Sequence, residues 1–149
     1  MKRILVLLSL VFALTLSARA SDAGWMTNYE AAAKKAAAEK KPMLLDFTGS
    51  DWCGWCIKLD KEVFSQPEFV KYAKKNLILV KLDFPREKKL SPSEKKQNES
   101  LAAKFGIRGY PTIIVLDDQG TQLGKLGYQK GGAKPWIEGL EKVTKPKAQ

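Results

Sequence analysis

Hydrophobic and polar positions fall into alternating blocks of helical and strand character. Asn28 to Lys41 is rich in Ala, Glu and Lys; with Thr27 or Asn28 as N-cap and Pro42 as a stop, it predicts a first helix. Met43-Leu44-Leu45-Asp46-Phe47, within Pro42 to Thr48, predicts a buried strand. Gly49-Ser50-Asp51 then reads as a turn and about Cys53 to Glu62 as a helix. Ser65-Gln66-Pro67-Glu68 has the capping-box pattern, Ser at the cap and Glu three later, and opens a helix to about Lys75. Leu77 to Phe84 is a second apolar strand, followed by a charged loop from Pro85 to Leu90. Ser91-Pro92-Ser93-Glu94 repeats the capping box with Pro at the first helical position, starting a helix that stops near Phe105-Gly106. Thr112 to Leu116 predicts a third strand, Asp117 to Gly120 a hairpin turn and Thr121 to Gly127 its partner. Ala133 to Val143 closes the chain as a helix with Trp136, Ile137 and Leu140 on one face. An alternating order that ends in an antiparallel hairpin predicts an α/β domain: a mixed central sheet with helices on both faces.

The first twenty residues stand apart from this pattern. Lys2 and Arg3 begin them, Ile4 to Leu16 is apolar but for Ser9 and Thr15, and Ala18-Arg19-Ala20 is a small-x-small cleavage site. The apolar run is short of the roughly 20 residues that span a bilayer, so residues 1–20 read as a secretory signal peptide, leaving residues 21–149 as one domain and implying a periplasmic or secreted protein without a membrane anchor. The formal charge of +10 falls to +7 without this segment (23 basic against 16 acidic residues). The lysines are spread along the chain without interleaved aromatic residues, which favours solubility or acidic partners over nucleic acid.

Only two cysteines occur, in Trp52-Cys53-Gly54-Trp55-Cys56, at a strand-to-helix junction. Residues three apart on a helix share a face, so two thiols there can close one disulfide. A cysteine in the first helical turn sits among unpaired N–H groups at the positive end of the helix dipole, which favours thiolate; this makes Cys53 the candidate nucleophile. Cys56, one turn on, would attack the mixed disulfide and release the partner. A domain of this size needs no staple, so one tight pair favours redox chemistry. With no histidine and no third cysteine, a zinc site is disfavoured. Two other functions compete: a module holding Cu(I) on two thiolates, for which Met26 and Met43 are the sparse extra ligands, and a redox-inert interaction domain.

Cysteines at that junction, with Gly109-Tyr110-Pro111-Thr112 opening a later strand, make the chain from about Trp25 onward resemble the thioredoxin superfamily. The Asp51-Trp52-Cys53 lead-in is similar to secreted bacterial members, such as the periplasmic C-terminal domain of the transmembrane disulfide-reductant transporter. The resemblance implies a thioredoxin fold and a thiol-disulfide oxidoreductase without a bound cofactor. Such an enzyme would exchange disulfides with protein partners as a monomer and take electrons from another dithiol such as a membrane donor; the reductase direction is favoured, while the oxidase and isomerase directions stay open because all three share this architecture. It also implies that Pro111 is cis and faces the cysteines, that the Tyr110 backbone pairs with substrate, and that Asp46 relays the Cys56 proton with Lys81 beside it. Independently, an acid inside Leu44-Leu45-Asp46-Phe47 is either on an open face or buried with a raised pKa. Two departures stand out. Asp46 to Cys53 is one residue longer than in typical thioredoxins, which would displace the acid, and Trp55 stands where thioredoxins carry Pro between the cysteines. Trp52, Gly54 and Trp55 are read as an apolar docking surface around the exposed sulfur. Lys58 and Lys61 read as a solvated face, Gly124 and Gly127 as a close approach opposite Pro111 or a bulge, and Asn98-Glu99-Ser100 as a sequon of consequence only in a eukaryote.

Overall fold

A computed structural model describes residues 23–144; the predicted signal peptide lies outside the described residues. Four strands, β1 (Met43–Thr48), β2 (Ile78–Asp83), β3 (Thr112–Leu116) and β4 (Gln122–Leu126), form one sheet in the order β2-β1-β3-β4. β1 is parallel to β2 and antiparallel to β3, and β3 and β4 are an antiparallel hairpin, so the sheet is mixed as expected. Five α-helices surround it: α1 (Tyr29–Glu39), α2 (Gly54–Leu59), α3 (Pro67–Asn76), α4 (Pro92–Lys104) and α5 (Ala133–Thr144).

Alternation along the strands divides the core into two layers. Met43, Leu45, Phe47, Val80, Leu82 and Ile114 face Ala32 and Ala36 of α1 and Leu101 of α4. Leu44, Leu79, Ile113 and Val115 face Leu59 of α2, Phe69 and Ala73 of α3, and Trp136 and Leu140 of α5. Asp46 and Thr48 have the parity of Leu44, and Lys81 and Asp83 that of Leu79. Four polar side chains therefore lie on the layer that also packs the cysteine helix.

Local chemistry explains most element ends. Asn28 caps α1 by accepting the Ala31 N–H, and Ser91 caps α4 by accepting the Glu94 N–H at 3.2 Å with Pro92 behind it. The predicted box at Ser65 does not form. The cysteine helix continues past Leu59 as a π-helical turn, Asp60–Phe64, which Ser65 closes through its N–H to the Asp60 carbonyl and its Oγ to Asp60 Oδ2. Gln66 takes the cap position of α3 with no side-chain cap bond, its amide turned back to the Lys61 carbonyl. A further unpredicted element is an isolated bridge at Met26. Its N–H donates to the Leu79 carbonyl and its carbonyl accepts the Lys81 N–H, along the outer edge of β2.

The structure decides two sequence readings of single residues. Asn98 is buried, donating Nδ2 to the Asp83 carbonyl at 2.9 Å, so it is inaccessible as a glycan acceptor. Gly124 flanks the irregularity in the β3–β4 pairing, in keeping with the bulge reading, and helix packing adds a second demand: a Cβ there would stand 2.8 Å from Val143 Cβ of α5. One at Gly127 would meet the Pro111 carbonyl only at an ordinary 3.9 Å.

Candidate active site: a dithiol pair at the mouth of the sheet

Gly49 makes the site possible. The Trp52 and Cys53 N–H groups both donate to its carbonyl, so residues 49–53 coil directly into α2 and absorb the extra residue between strand and cysteine. A Cβ on Gly49 would fall 2.5 Å from Trp52 Cε2, so only glycine lets the indole lie across the turn. Cys53 is the N-cap of α2 and Cys56 lies within it; they are joined as a disulfide with Cα atoms 5.2 Å apart. The Cys56 N–H donates to Cys53 Sγ at 3.3 Å, and the Gly49 N–H to Cys56 Sγ at 3.5 Å. Both are largely covered, Cys53 at 7% exposure and Cys56 at 4%.

Asp46 is 4% exposed, and its Oδ1 has no hydrogen-bond partner. Burial pushes its carboxyl up to about 7; Lys81, opposite it in the β1–β2 register, pulls the other way, and Asp60 and Asp83 add to the rise. Lys81 makes no ion pair with Asp46 within 4.0 Å among the described residues, its Nζ lying 5.5 Å from the Trp25 ring centre instead. Asp46, Cys56, Asp60 and Lys81 line one cavity of about 140 Å³, room enough for water. Despite the longer spacing, the acid and the inner sulfur share this space.

The outer sulfur has an aromatic surround. Trp52 donates Nε1 to the Phe84 carbonyl at 2.7 Å and meets Tyr110 edge-on at 5.9 Å. Tyr110 also stacks on Phe84 at 5.2 Å, and the Tyr110-Pro111 bond is cis. Trp55 is 55% exposed, packs on Tyr128 at 5.0 Å and carries Lys58 Nζ 5.2 Å from its ring centre. Tyr128 donates its hydroxyl to Glu62 Oε2 at 2.6 Å, and Lys58 lies 3.8 Å from the other Glu62 oxygen. Gly54 is exposed. Met26 and Met43 belong to the layer on the opposite face of the sheet, and so give the sulfurs no thioether support.

Sequence reasoning missed the residues that hold this surround. Asp83 accepts from Ser50 N–H and Oγ, and Asp51 accepts the N–H groups of Arg86, Glu87 and Lys88. Those bonds hold Asp51 below the usual carboxylate range. No local pattern signals either contact, since the partners lie 33 to 37 residues away.

A family model described as a thioredoxin-like domain matches residues 29–136. The chain belongs to the thioredoxin-like family. Among its members, the disulfide bond reductase DsbH of Chlamydia pneumoniae is 31% identical over 79% of this chain and 71% of its own length. Thiol:disulfide interchange protein DsbD of Yersinia pestis is 31% identical over 59% of this chain but only 13% of its own length. A solved DsbH oxidoreductase superposes with a TM-score of 0.76 at 31% identity, covering 80% of this chain and 82% of that one. The reduced C-terminal domain of Neisseria meningitidis DsbD shares the fold, with a TM-score of 0.58 at 24% identity. As a thioredoxin-like protein with a Cys53-Cys56 pair, the chain is a thiol-disulfide oxidoreductase.

Proposed function

We propose that this oxidoreductase works in the bacterial cell envelope as a protein-disulfide reductase, exported by residues 1–20 and active as a monomer of residues 21–149. The observation that carries the reading is the shared cavity of Asp46 and Cys56, a buried acid beside the inner sulfur. In the reduced protein, the Cys53 thiolate, supported by the Cys56 N–H, attacks one sulfur of a partner disulfide. A mixed disulfide forms and the partner's first thiolate leaves. The Cys56 thiol then passes its proton to Asp46 and attacks Cys53 Sγ, closing the Cys53-Cys56 bond and releasing the second thiolate. Two electrons have moved from the dithiol to the partner, and an upstream dithiol, carried by a membrane donor, restores them. Lys81 supports the charge that Asp46 carries before it takes that proton. Tyr110 and Pro111 position the partner chain, with Trp52, Gly54 and Trp55 flanking the sulfur. The name of the Chlamydia relative, a disulfide bond reductase, supports the direction.

Cys53→Ser is expected to abolish insulin reduction, whereas Cys56→Ser should accumulate a mixed disulfide visible on non-reducing gels; unchanged reduction by Cys53→Ser would sink the mechanism. Equilibration with glutathione, followed by tryptophan fluorescence, tests the direction: a reductase should lie near the −270 mV of thioredoxin, roughly, and a value near about −120 mV would make the protein an oxidant.

A further inference from the structure

A cavity of about 380 Å³ lies beside the dithiol site and takes no part in the chemistry above. It is lined by Phe84, Pro85 and Leu90 together with Lys88, Lys89 and Lys95. Phe84 joins it to the site, its carbonyl accepting from Trp52 and its ring stacking on Tyr110. We propose that this pocket is a specificity subsite, taking an acidic stretch of the partner protein a few residues from the cysteine under attack.

Three observations carry the proposal. The acids in the lining are already engaged, Asp83 by Ser50 and Glu99 by Lys95 at 3.9 Å, while Lys88 and Lys89 have no ion-pair partner among the described residues. The loop that presents them is fixed, because Asp51 takes three successive N–H groups, from Arg86 to Lys88. Arg86, its guanidinium 4.0 Å from the Trp52 ring centre, extends the basic rim toward the dithiol. An apolar floor with an unpaired cationic rim is complementary to an extended segment carrying carboxylates beside an apolar residue, and such rims steer approach as well as hold. The net charge of +7 that remains without residues 1–20 acts in the same sense.

This inference rests on the proposed reductase reading, and the test separates the two. Disulfide-linked peptide substrates differing only in the residues flanking the cysteine (Glu, Gln or Lys) are reduced by the pre-reduced protein and followed by tryptophan fluorescence. The Glu peptide should react about fivefold faster than the Gln peptide at low salt, the size expected from two exposed charge pairs. That ratio should fall toward one in the double variant Lys88→Gln, Lys89→Gln, and in the parent protein at about 0.5 M salt, where exposed charges are screened. Equal rates for the Glu and Gln peptides, or a ratio that survives both changes, would overturn the subsite. Failure to reduce any of the peptides would instead overturn the reductase reading on which it stands. The salt series on the parent protein keeps the test decisive if the double variant does not fold.

Discussion

Asp46 is a carboxylic acid inside a strand whose six residues are all buried, with one oxygen unpartnered and its pKa lifted from 3.8 to about 7. The shift is also a statement about stability. Between those two values the folded protein holds the Asp46 proton while the unfolded chain has released it. The contribution is therefore fully present below about pH 4 and is lost as pH rises through 7. Asp46→Asn keeps the shape without the charge. It should flatten this slope and leave the protein more stable than the parent at pH 8, by on the order of 3 to 4 kcal/mol in urea denaturation. An unchanged slope would show that the acid ionises freely in the fold. The sequence offered Asp46 as a candidate but not its surroundings: a strand covered on both faces has no polar alternation to say where an acid points. Trp55 was legible as part of an exposed docking surface, but its packing partners were not. Tyr128 reaches it from a distant part of the chain, packing on its ring and donating to Glu62 of the neighbouring turn.

At the level of elements, the loop after β2 read only as a charged loop, yet it is held by a carboxylate of the cysteine-bearing turn. Three N–H groups converge on Asp51 and hold its pKa below the ordinary carboxylate range, so the loop's tether is present above that range and is lost only as pH falls through the depressed value. Asp51→Ala should speed amide hydrogen exchange at Arg86, Glu87 and Lys88, leaving the strand amides of β1 protected; uniform protection in parent and variant would show that the loop holds itself. Element ends were legible where the cap is local. Asn28 and Ser91 cap as their sequences predict, but Ser65 does not, because the preceding helix widens instead of ending and claims the serine to close its last turn.

For the whole molecule, the alternating pattern carried the sheet, its mixed sense and the two helical layers, since apolar periodicity is set by burial. It did not carry the Met26 bridge, one residue long and without a pattern. The two layers also differ in kind. On the cysteine side, Trp136 is wholly buried, donates Nε1 to the Gly127 carbonyl at 3.0 Å, and meets Phe64 and Phe69 edge-on at 5.3 and 5.8 Å. That single side chain ties α5 to α3 and to the π-helical turn. Trp136→Ala should cost about 3 to 5 kcal/mol in urea denaturation. A loss under about 1 kcal/mol would show that α5 is not integral to the core.

The Met26 bridge bears on how copies of this chain meet at high concentration. A sheet's outermost strands are templates on which a neighbouring molecule can add its own. Met26 occupies the middle of the β2 edge, leaving β4 as the edge through which stacking could spread. That strand is five residues long, bears a lysine and is irregular in its pairing at Val115/Leu116 of β3, features that discourage such growth. Met26, three residues ahead of the first helix, thus acts as a guard against self-assembly.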